Sequence, residues 1–390
     1  MSREQPDVIV VGAGFMGATS AFFLRRRGLK VLLLERGQVG QHASGTNFGN
    51  VRRQGRILAQ IPLANRSRAL WGRLPELIAE DLEFIPTGHI RVCYREEELL
   101  QLQAYNSSPE LVELGLTIYQ GAEMRKRFPY LGPTVLAVSH APFDGHANPR
   151  LAAPAFARAA VRAGAMVREG VEISRVEKSG TLFTITSTEG EVFTAPKVLI
   201  TAGGWGSKLS SQFGEPVPIV LKGPQMAVTE PLPYCFKEVV GVYSKTKSEI
   251  IYFRQVARGN VVFGGGFHTQ LPADALLSAH TAEALAGQTQ RLRQVAPALG
   301  RINVIRTWSG VEGYTADDRP VISASSQVEG LYYAFAFCGH GFQLGPGVGD
   351  VMAELIATGA SSTPIDAFDI ARFAAPTPPG LEQKRHTLTS

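Results

Sequence analysis

The chain has 390 residues, 44% of them hydrophobic and 19% charged, with a formal net charge of +5. This is length enough for two lobes around sizeable cores, and the scattered basic excess favours small anionic ligands over nucleic acid. No apolar run approaches the roughly 18–20 residues that span a bilayer, no leader-like stretch precedes the first strand, and Cys93, Cys235 and Cys338 are too far apart for a metal cluster or disulfide framework, so a cytoplasmic protein is expected.

Residues 7–17 read DVIVVGAGFMG. The apolar run 8–11 predicts a buried parallel strand, and Gly12, Gly14 and Gly17 predict a tight turn into a helix whose N-terminus receives a pyrophosphate. The helix is expected over 18–27, ending in three arginines before Gly28, where a left-handed C-cap fits. A second apolar strand over 30–35 ends in Glu35, eighteen residues past the last glycine and placed to accept from ribose hydroxyls. Strand, glycine turn, helix, strand and acid in this order predict a dinucleotide site, and by themselves leave FAD and NAD open.

The polar stretch 40–49, GQHASGTNFG, suits a loop around phosphate or ribityl oxygens. Helical spacing follows over 61–81, and 88–94 and 119–131 read as short extended pieces with helical turns between them. An alanine-rich helix is expected over 149–163, then strands over 166–169, 173–177, 183–188, 192–195 and 197–201, the last entering the permissive turn Ala202-Gly203-Gly204-Trp205. The stretches 219–228, 239–243, 249–254 and 260–264 alternate like antiparallel strands that floor a substrate lobe. A helix over 279–295 closes at Pro297. The final third returns to glycine: GVEGYTADDRPVI at 310–322, a strand over 331–337, Gly339-His340-Gly341-Phe342, and a closing helix over 349–358, its beginning expected near Gly345 or Gly347.

VGAGFMG with Glu35, ITAGGW at 200–205, GVEGYTADDRPVI and FCGHGFQLGPGVGDVMAELI at 337–356 together resemble the D-amino-acid oxidase superfamily of FAD enzymes across nearly the whole chain. Within it, the wording is most similar to β-subunit-type amine dehydrogenases: hydroxyproline and proline dehydrogenases, opine oxidases and the hydrogen cyanide synthase subunit. The resemblance implies a mixed α/β fold, with a Rossmann-like FAD-binding domain built from 1–84, 148–216 and 307–375. An interleaved antiparallel substrate domain would comprise 85–147 and 217–306, and a flexible tail 376–390.

The same resemblance implies that Gly12, Gly14, Phe15, Met16 and Gly17 meet the pyrophosphate and Glu35 and Arg36 the adenosine. Ser44, Gly45, Thr46, Asn47 and Gly49 would meet phosphate and flavin, and Val171 the adenine through its backbone. Thr201, Ala202, Gly203 and Trp205 would line the middle of the cofactor, and Gly339, His340, Gly341, Phe342 and Gln343 the flavin's pyrimidine edge. A helix N-terminus there would favour the negative charge that the reduced flavin accumulates. In the family, hydride leaves an amino or imino acid for flavin N5, and a bidentate arginine holds the substrate carboxylate. Here Glu312 stands where that arginine is expected, so Arg52, Arg53 and Arg254 become the candidate anion binders and Tyr252 their hydrogen-bonding companion. His340 is left with either a catalytic or a packing role. No cysteine matches the tethering position of monomeric sarcosine oxidases, which implies non-covalent FAD. No lysine between 250 and 264 matches their oxygen-activating one, which implies electron delivery to a partner subunit or respiratory acceptor. A stand-alone peroxide-producing oxidase and a non-catalytic flavin-holding subunit are the alternatives.

Overall fold

The computed structural model describes residues 5–374; the tail expected over 376–390 lies outside them. Six strands form the first sheet, in the order Val321–Ala324, Leu331–Phe335, Lys197–Ile200, Val8–Val11, Val31–Leu34, Met166–Arg168. All neighbours are parallel except the first pair. The strands Val8–Val11 and Val31–Leu34 are apolar at every position because both faces are covered. Val8, Val10, Leu33 and Leu199 face the helices Phe15–Arg26, Ile61–Trp71, Pro149–Arg162 and Gly341–Thr358. Ile9, Val11, Leu32, Leu34, Val198 and Ile200 pack with Val176, Phe183 and Ile185 of a three-stranded antiparallel sheet, Ile173–Ser179, Leu182–Ser187 and Val192–Ala195.

A larger sheet runs through Val304–Ser309, Ile219–Pro231, Asn260–Leu271, Tyr252–Gln255, Val239–Val242, His89–Cys93, Ala137–Ala141 and Thr117–Gln120, with Glu312–Thr315 also paired to Ile219–Pro231. It is antiparallel except where His89–Cys93 lies parallel to Val239–Val242, a junction that joins two distant chain segments. Helix Ala282–Val295 contributes Leu292 and Val295 to this sheet's core, beside Phe253 and Phe263. The strands Val304–Ser309 and Glu312–Thr315 belong to this sheet, beyond the domain boundary expected at 307.

Two local expectations are corrected. Within 119–131 the chain forms a helix, Gly121–Arg127, whose Met124 is buried; a short amphipathic turn carries too little periodicity to be told from an extended piece. The closing helix is Gly341–Thr358, not one starting near Gly345 or Gly347. Its glycines serve contact with neighbouring helices rather than termination: a Cβ on Gly345 would lie 2.3 Å from the Phe15 ring, and one on Gly349 2.5 Å from Thr19 Cβ. Pro346 sits in the second turn, where it has no N–H to give the Phe342 carbonyl.

Candidate active site

A cavity of about 840 Å³ starts at the first glycine turn, passes the start of helix Gly341–Thr358 and ends against the larger sheet. Its first part is shaped by backbone. Gly12 has φ +102°, and a Cβ on Gly17 would lie 1.9 Å from the Gly12 carbonyl oxygen, so only glycine closes this turn. Glu35 braces it: Ala13 N–H donates to Oε2 at 2.7 Å and Gly37 N–H to Oε1 at 2.9 Å. Thr201 Oγ1 donates to the carbonyls of Val11 and Gly12, and Phe15 N–H donates to Ser44 Oγ at 2.8 Å. The second lobe of the nucleotide region is stacked: Arg36 Cζ lies 3.9 Å from the Trp205 ring centroid, and Arg36 Nη2 donates to His42 Nε2 at 3.3 Å. Burial, then Arg36, pushes His42 down to about 4, which keeps its ring neutral.

Gly12, Gly14, Phe15, Met16, Glu35, Arg36, Ser44, Asn47, Gly49, Val171, Thr201, Ala202, Gly203 and Trp205 all line this part, and Gly339, His340, Gly341, Phe342 and Gln343 line its far end. Gly17, Gly45 and Thr46 do not line it. Gly17 and Gly45 make close backbone contacts with Gly12 and Gly40, and Thr46 packs on Gly310 while its carbonyl accepts from Trp308 Nε1. Val171 does not offer its N–H to a ligand, because that group donates to the Glu35 carbonyl at 2.8 Å.

Residues suited to FAD can be tested against unmet polar demand. Trp205 Nε1, Asn50 Oδ1, His340 Nδ1 and Gln343 Oε1 are buried without a hydrogen-bond partner, and all four residues line the cavity. Buried polar atoms are rarely left so. A long ligand with alternating donors and acceptors would satisfy them, and the glycine turn opens onto the same cavity through Gly12 and Gly14. The residues present therefore fit the cofactor.

Beyond the start of the last helix the lining becomes strongly cationic. Arg52, Arg56 and Arg91 converge there beside His89. Arg56 Nε donates to the Arg52 carbonyl at 2.9 Å, Nη1 to Gln60 Oε1 and Nη2 to the His340 carbonyl at 3.2 Å. Arg52 Nη1 donates to the Gln54 carbonyl. Burial, reinforced by the Arg52 charge, lowers Arg56 to about 9 and Arg91 to about 10. The same burial and the surrounding guanidiniums hold His89 and His340 well below the ordinary imidazole value. The lining also holds Tyr252, Glu312 and Tyr314. Glu312 Oε1 accepts Gly339 N–H at 2.8 Å and Oε2 accepts the Tyr314 hydroxyl at 3.2 Å, so it clamps the turn before the last helix. Desolvation raises its carboxyl above the usual carboxylate range, the two hydrogen bonds opposing that rise.

Of the candidate anion binders, only Arg52 reaches the cavity. Arg53 turns away to Asp144, with Nε 3.3 Å from Oδ1, and to Asn65 Oδ1 at 2.9 Å. Arg254, which is 5% exposed, donates from Nε to the Phe48 carbonyl at 2.9 Å and meets His146 Nδ1 at 2.8 Å. It is a strut inside the wall, tying the segment 44–49 to the larger sheet. Arg56 and Arg91 escaped the sequence reading. Arg91 carries a usable signal, since His89 and Arg91 alternate with Ile90 and Val92 and so share one strand face; Arg56 lies in a loop and carries none. Lys222, brought in from a strand outside the window 250–264, also lines the cavity, with Nζ 4.2 Å from the Tyr314 ring centroid.

A family model described as "FAD dependent oxidoreductase" (DAO) matches residues 7–355. The chain is 27% identical to a glycine oxidase of Geobacillus kaustophilus, an alignment covering 94% of this chain and 96% of that protein. It is 26% identical to one of the subunits of an opine oxidase from Rhizobium meliloti, with 95% and 98% covered. Its structure superposes on L-proline dehydrogenase from P. horikoshii with a TM-score of 0.88 at 26% identity, covering 95% of this chain and 98% of that one.

Proposed function

Since the chain belongs to the DAO family of FAD-dependent oxidoreductases, we propose that it oxidises the C–N bond of a small amino or imino acid, proline-like or opine-like. The observation that carries this reading is one continuous cavity lined by the glycine turn, by the buried arginines Arg52, Arg56 and Arg91 and by the carboxylate of Glu312. Bound FAD would accept a hydride from the carbon next to nitrogen. The chain's own residues bind and orient. Arg52, with Arg56 and Arg91, holds the substrate carboxylate, and Glu312 and Tyr252 receive the amine end. The first N–H groups of helix Gly341–Thr358 present partial positive charge at the cofactor's far end. No side chain needs to remove a proton from carbon, so positioning and water exclusion are the protein's contribution.

FAD is held non-covalently in this reading. Cys338, the cysteine in the cavity lining, has Sγ 3.2 Å from the Ala336 carbonyl, and burial pushes its thiol up to about 12, leaving little nucleophilic thiolate. The chain acts as the catalytic, β-type member of a cytoplasmic hetero-oligomer that passes electrons to a partner or respiratory acceptor; its relative in R. meliloti is itself named as a subunit. Among the described residues no helix is long and apolar enough to cross a membrane. A second reading, a stand-alone oxidase releasing hydrogen peroxide, draws support from Lys222 in the cavity lining.

The test is anaerobic mixing of the purified yellow protein with D- and L-proline, hydroxyprolines, sarcosine, glycine, D-alanine and opines. Bleaching of the flavin band by one of them supports the proposal. A stable yellow spectrum with every amine leaves a flavin-holding subunit. Admitting air to the bleached protein then separates dehydrogenase from oxidase, by slow or rapid return of colour with peroxide.

A further inference from the structure

Glu312 is a carboxylate in the cavity wall whose hydrogen-bond partners are both uncharged: the Gly339 N–H donates to Oε1 at 2.8 Å and the Tyr314 hydroxyl to Oε2 at 3.2 Å. Lys222 stands directly opposite it where Ile219–Pro231 pairs with Glu312–Thr315. The Lys222 ammonium is turned onto the Tyr314 ring instead, with Nζ 4.2 Å from the centroid, so it reaches Glu312 through its field and not through an ion pair. The other carboxylates of the lining are differently placed. Glu35 is taken up by the N–H groups of Ala13 and Gly37, and Glu172 lies 4.0 Å from Arg36, both at the nucleotide end. Asp318 follows the end of the Glu312 strand, in a turn that its own N–H closes on the Thr315 carbonyl. Tyr252, by contrast, lies close enough to Glu312 for the carboxylate to add to the burial that raises its hydroxyl pKa.

A buried carboxylate with no cation in contact is costly until a positive group arrives or a proton binds. The amine of an amino or imino acid offers both, because at neutral pH it is an ammonium. While nitrogen is protonated, its electron pair is held in an N–H bond and cannot form the C=N bond of the product, so a proton must leave before hydride does. The remaining titratable groups around Glu312 are poor acceptors for that proton. Burial pushes the Tyr252 and Tyr314 hydroxyls up and the Cys338 thiol up to about 12, so all three keep their own protons. Burial, with Lys222 and Lys247, holds His268 at about 4, and burial with the arginines holds His340 well below the ordinary imidazole value.

We infer that Glu312 is the base of the reaction: one of its carboxylate oxygens takes a proton from the ammonium of the bound substrate. The N–H bond breaks and an O–H bond forms, with the electron pair left on nitrogen. That pair then forms the C=N bond as the adjacent carbon gives up hydride to the bound FAD. The inference rests on the proposal that the cavity oxidises an amine, and it adds the proton transfer that must come first.

The test is rapid-mixing reduction of the flavin-loaded protein without air, at saturating amine and varied pH. In the unaltered protein the limiting rate should stay within about threefold from about pH 7 to about 9, because the proton passes inside the complex. Glu312→Gln keeps an oxygen for the Gly339 N–H and removes the base. Its limiting rate should fall about tenfold for each pH unit below the amine's own pKa and approach that of the unaltered protein above it. Glu312→Asp should restore the flat profile at a lower rate. A second readout needs no turnover: 2-aminoisobutyrate has no hydrogen on its α-carbon and cannot be oxidised there, so its perturbation of the flavin spectrum is compared with that of isobutyrate. It should bind about tenfold more tightly than isobutyrate to the unaltered protein, and within about threefold of it in Glu312→Gln. A slope of about tenfold per pH unit in the unaltered protein overturns the inference and needs no variant to fold. A flat profile in Glu312→Gln, or a preference for 2-aminoisobutyrate kept there, overturns it as well. If no amine bleaches the flavin, the amine-oxidising reading falls and this step with it, whereas bleaching with either contrary profile defeats this step alone.

Discussion

Replacing Arg254 by methionine separates a strut from a substrate-binding arginine. Methionine keeps much of the aliphatic length and removes both polar contacts, to the Phe48 carbonyl at 2.9 Å and His146 Nδ1 at 2.8 Å. Each acceptor is then stranded in a buried wall, at about 1–3 kcal/mol apiece. Part of this is offset because the guanidinium itself is strained by burial, its pKa pushed down to about 10. The net expected loss is about 2–4 kcal/mol, which for a chain of this length lowers the thermal midpoint by about 2–5 °C. Because the side chain does not reach the cavity, KM for the amine should change by less than about threefold, whereas Arg52→Gln should raise it by about tenfold or more, the scale of a lost charge-assisted pair. The assay is a thermal melt with flavin-reduction kinetics under anaerobic conditions. An Arg254→Met protein with an unchanged midpoint and a tenfold higher KM would refute the strut and restore the residue as an anion binder.

Gly17→Ala should strip the protein of flavin, lowering the ratio of visible to ultraviolet absorbance by about tenfold or more, since its Cβ would sit 1.9 Å from the Gly12 oxygen; normal flavin content would show that the turn can yield. Gly349→Ala brings a Cβ to 2.6 Å from the Thr19 carbonyl carbon, an atom that cannot swing aside. Overpacking of about 1–3 kcal/mol should outweigh the helix-propensity gain of about 1 kcal/mol, and a raised melting midpoint would contradict that balance. Acid should unfold the protein early. Burial, then the Arg254 charge, holds His146 at about 3, and burial with nearby cations holds His140 and His268 at about 4. These rings are neutral when folded and protonated when unfolded below about pH 6.5, so the unfolded state binds more protons and stability falls from there toward pH 4. A melting midpoint unchanged between pH 7 and about 5 would contradict this.

The cofactor half was legible in the sequence because its signals are local. The spacing of Gly12, Gly14 and Gly17, the fully apolar runs on either side and Glu35 all act within one strand–turn–helix–strand unit, and the bounds of Val8–Val11 and Val192–Ala195 coincide with the reading. The start of the last helix was misjudged for the opposite reason. Gly345 and Gly349 look like interruptions along the chain, and only Phe15 and Thr19, more than three hundred residues away, show why no side chain fits there.

The amino-acid sequence by itself therefore determined the nucleotide turn, the two-faced burial of the first sheet and the family, each resting on short-range geometry or on motifs read in order. Tertiary structure alone decided which arginines meet in the cavity. Arg52 and Arg56 lie in the loop after the two-residue strand Asn50–Val51, Arg91 projects from another sheet, and the His340 carbonyl that receives Arg56 comes from near the far end of the chain. Arg254 was drawn into the wall instead because Phe48 and His146 fold back against its strand. Charge along the chain says that a guanidinium exists; its direction depends on which neighbours the packing brings to it.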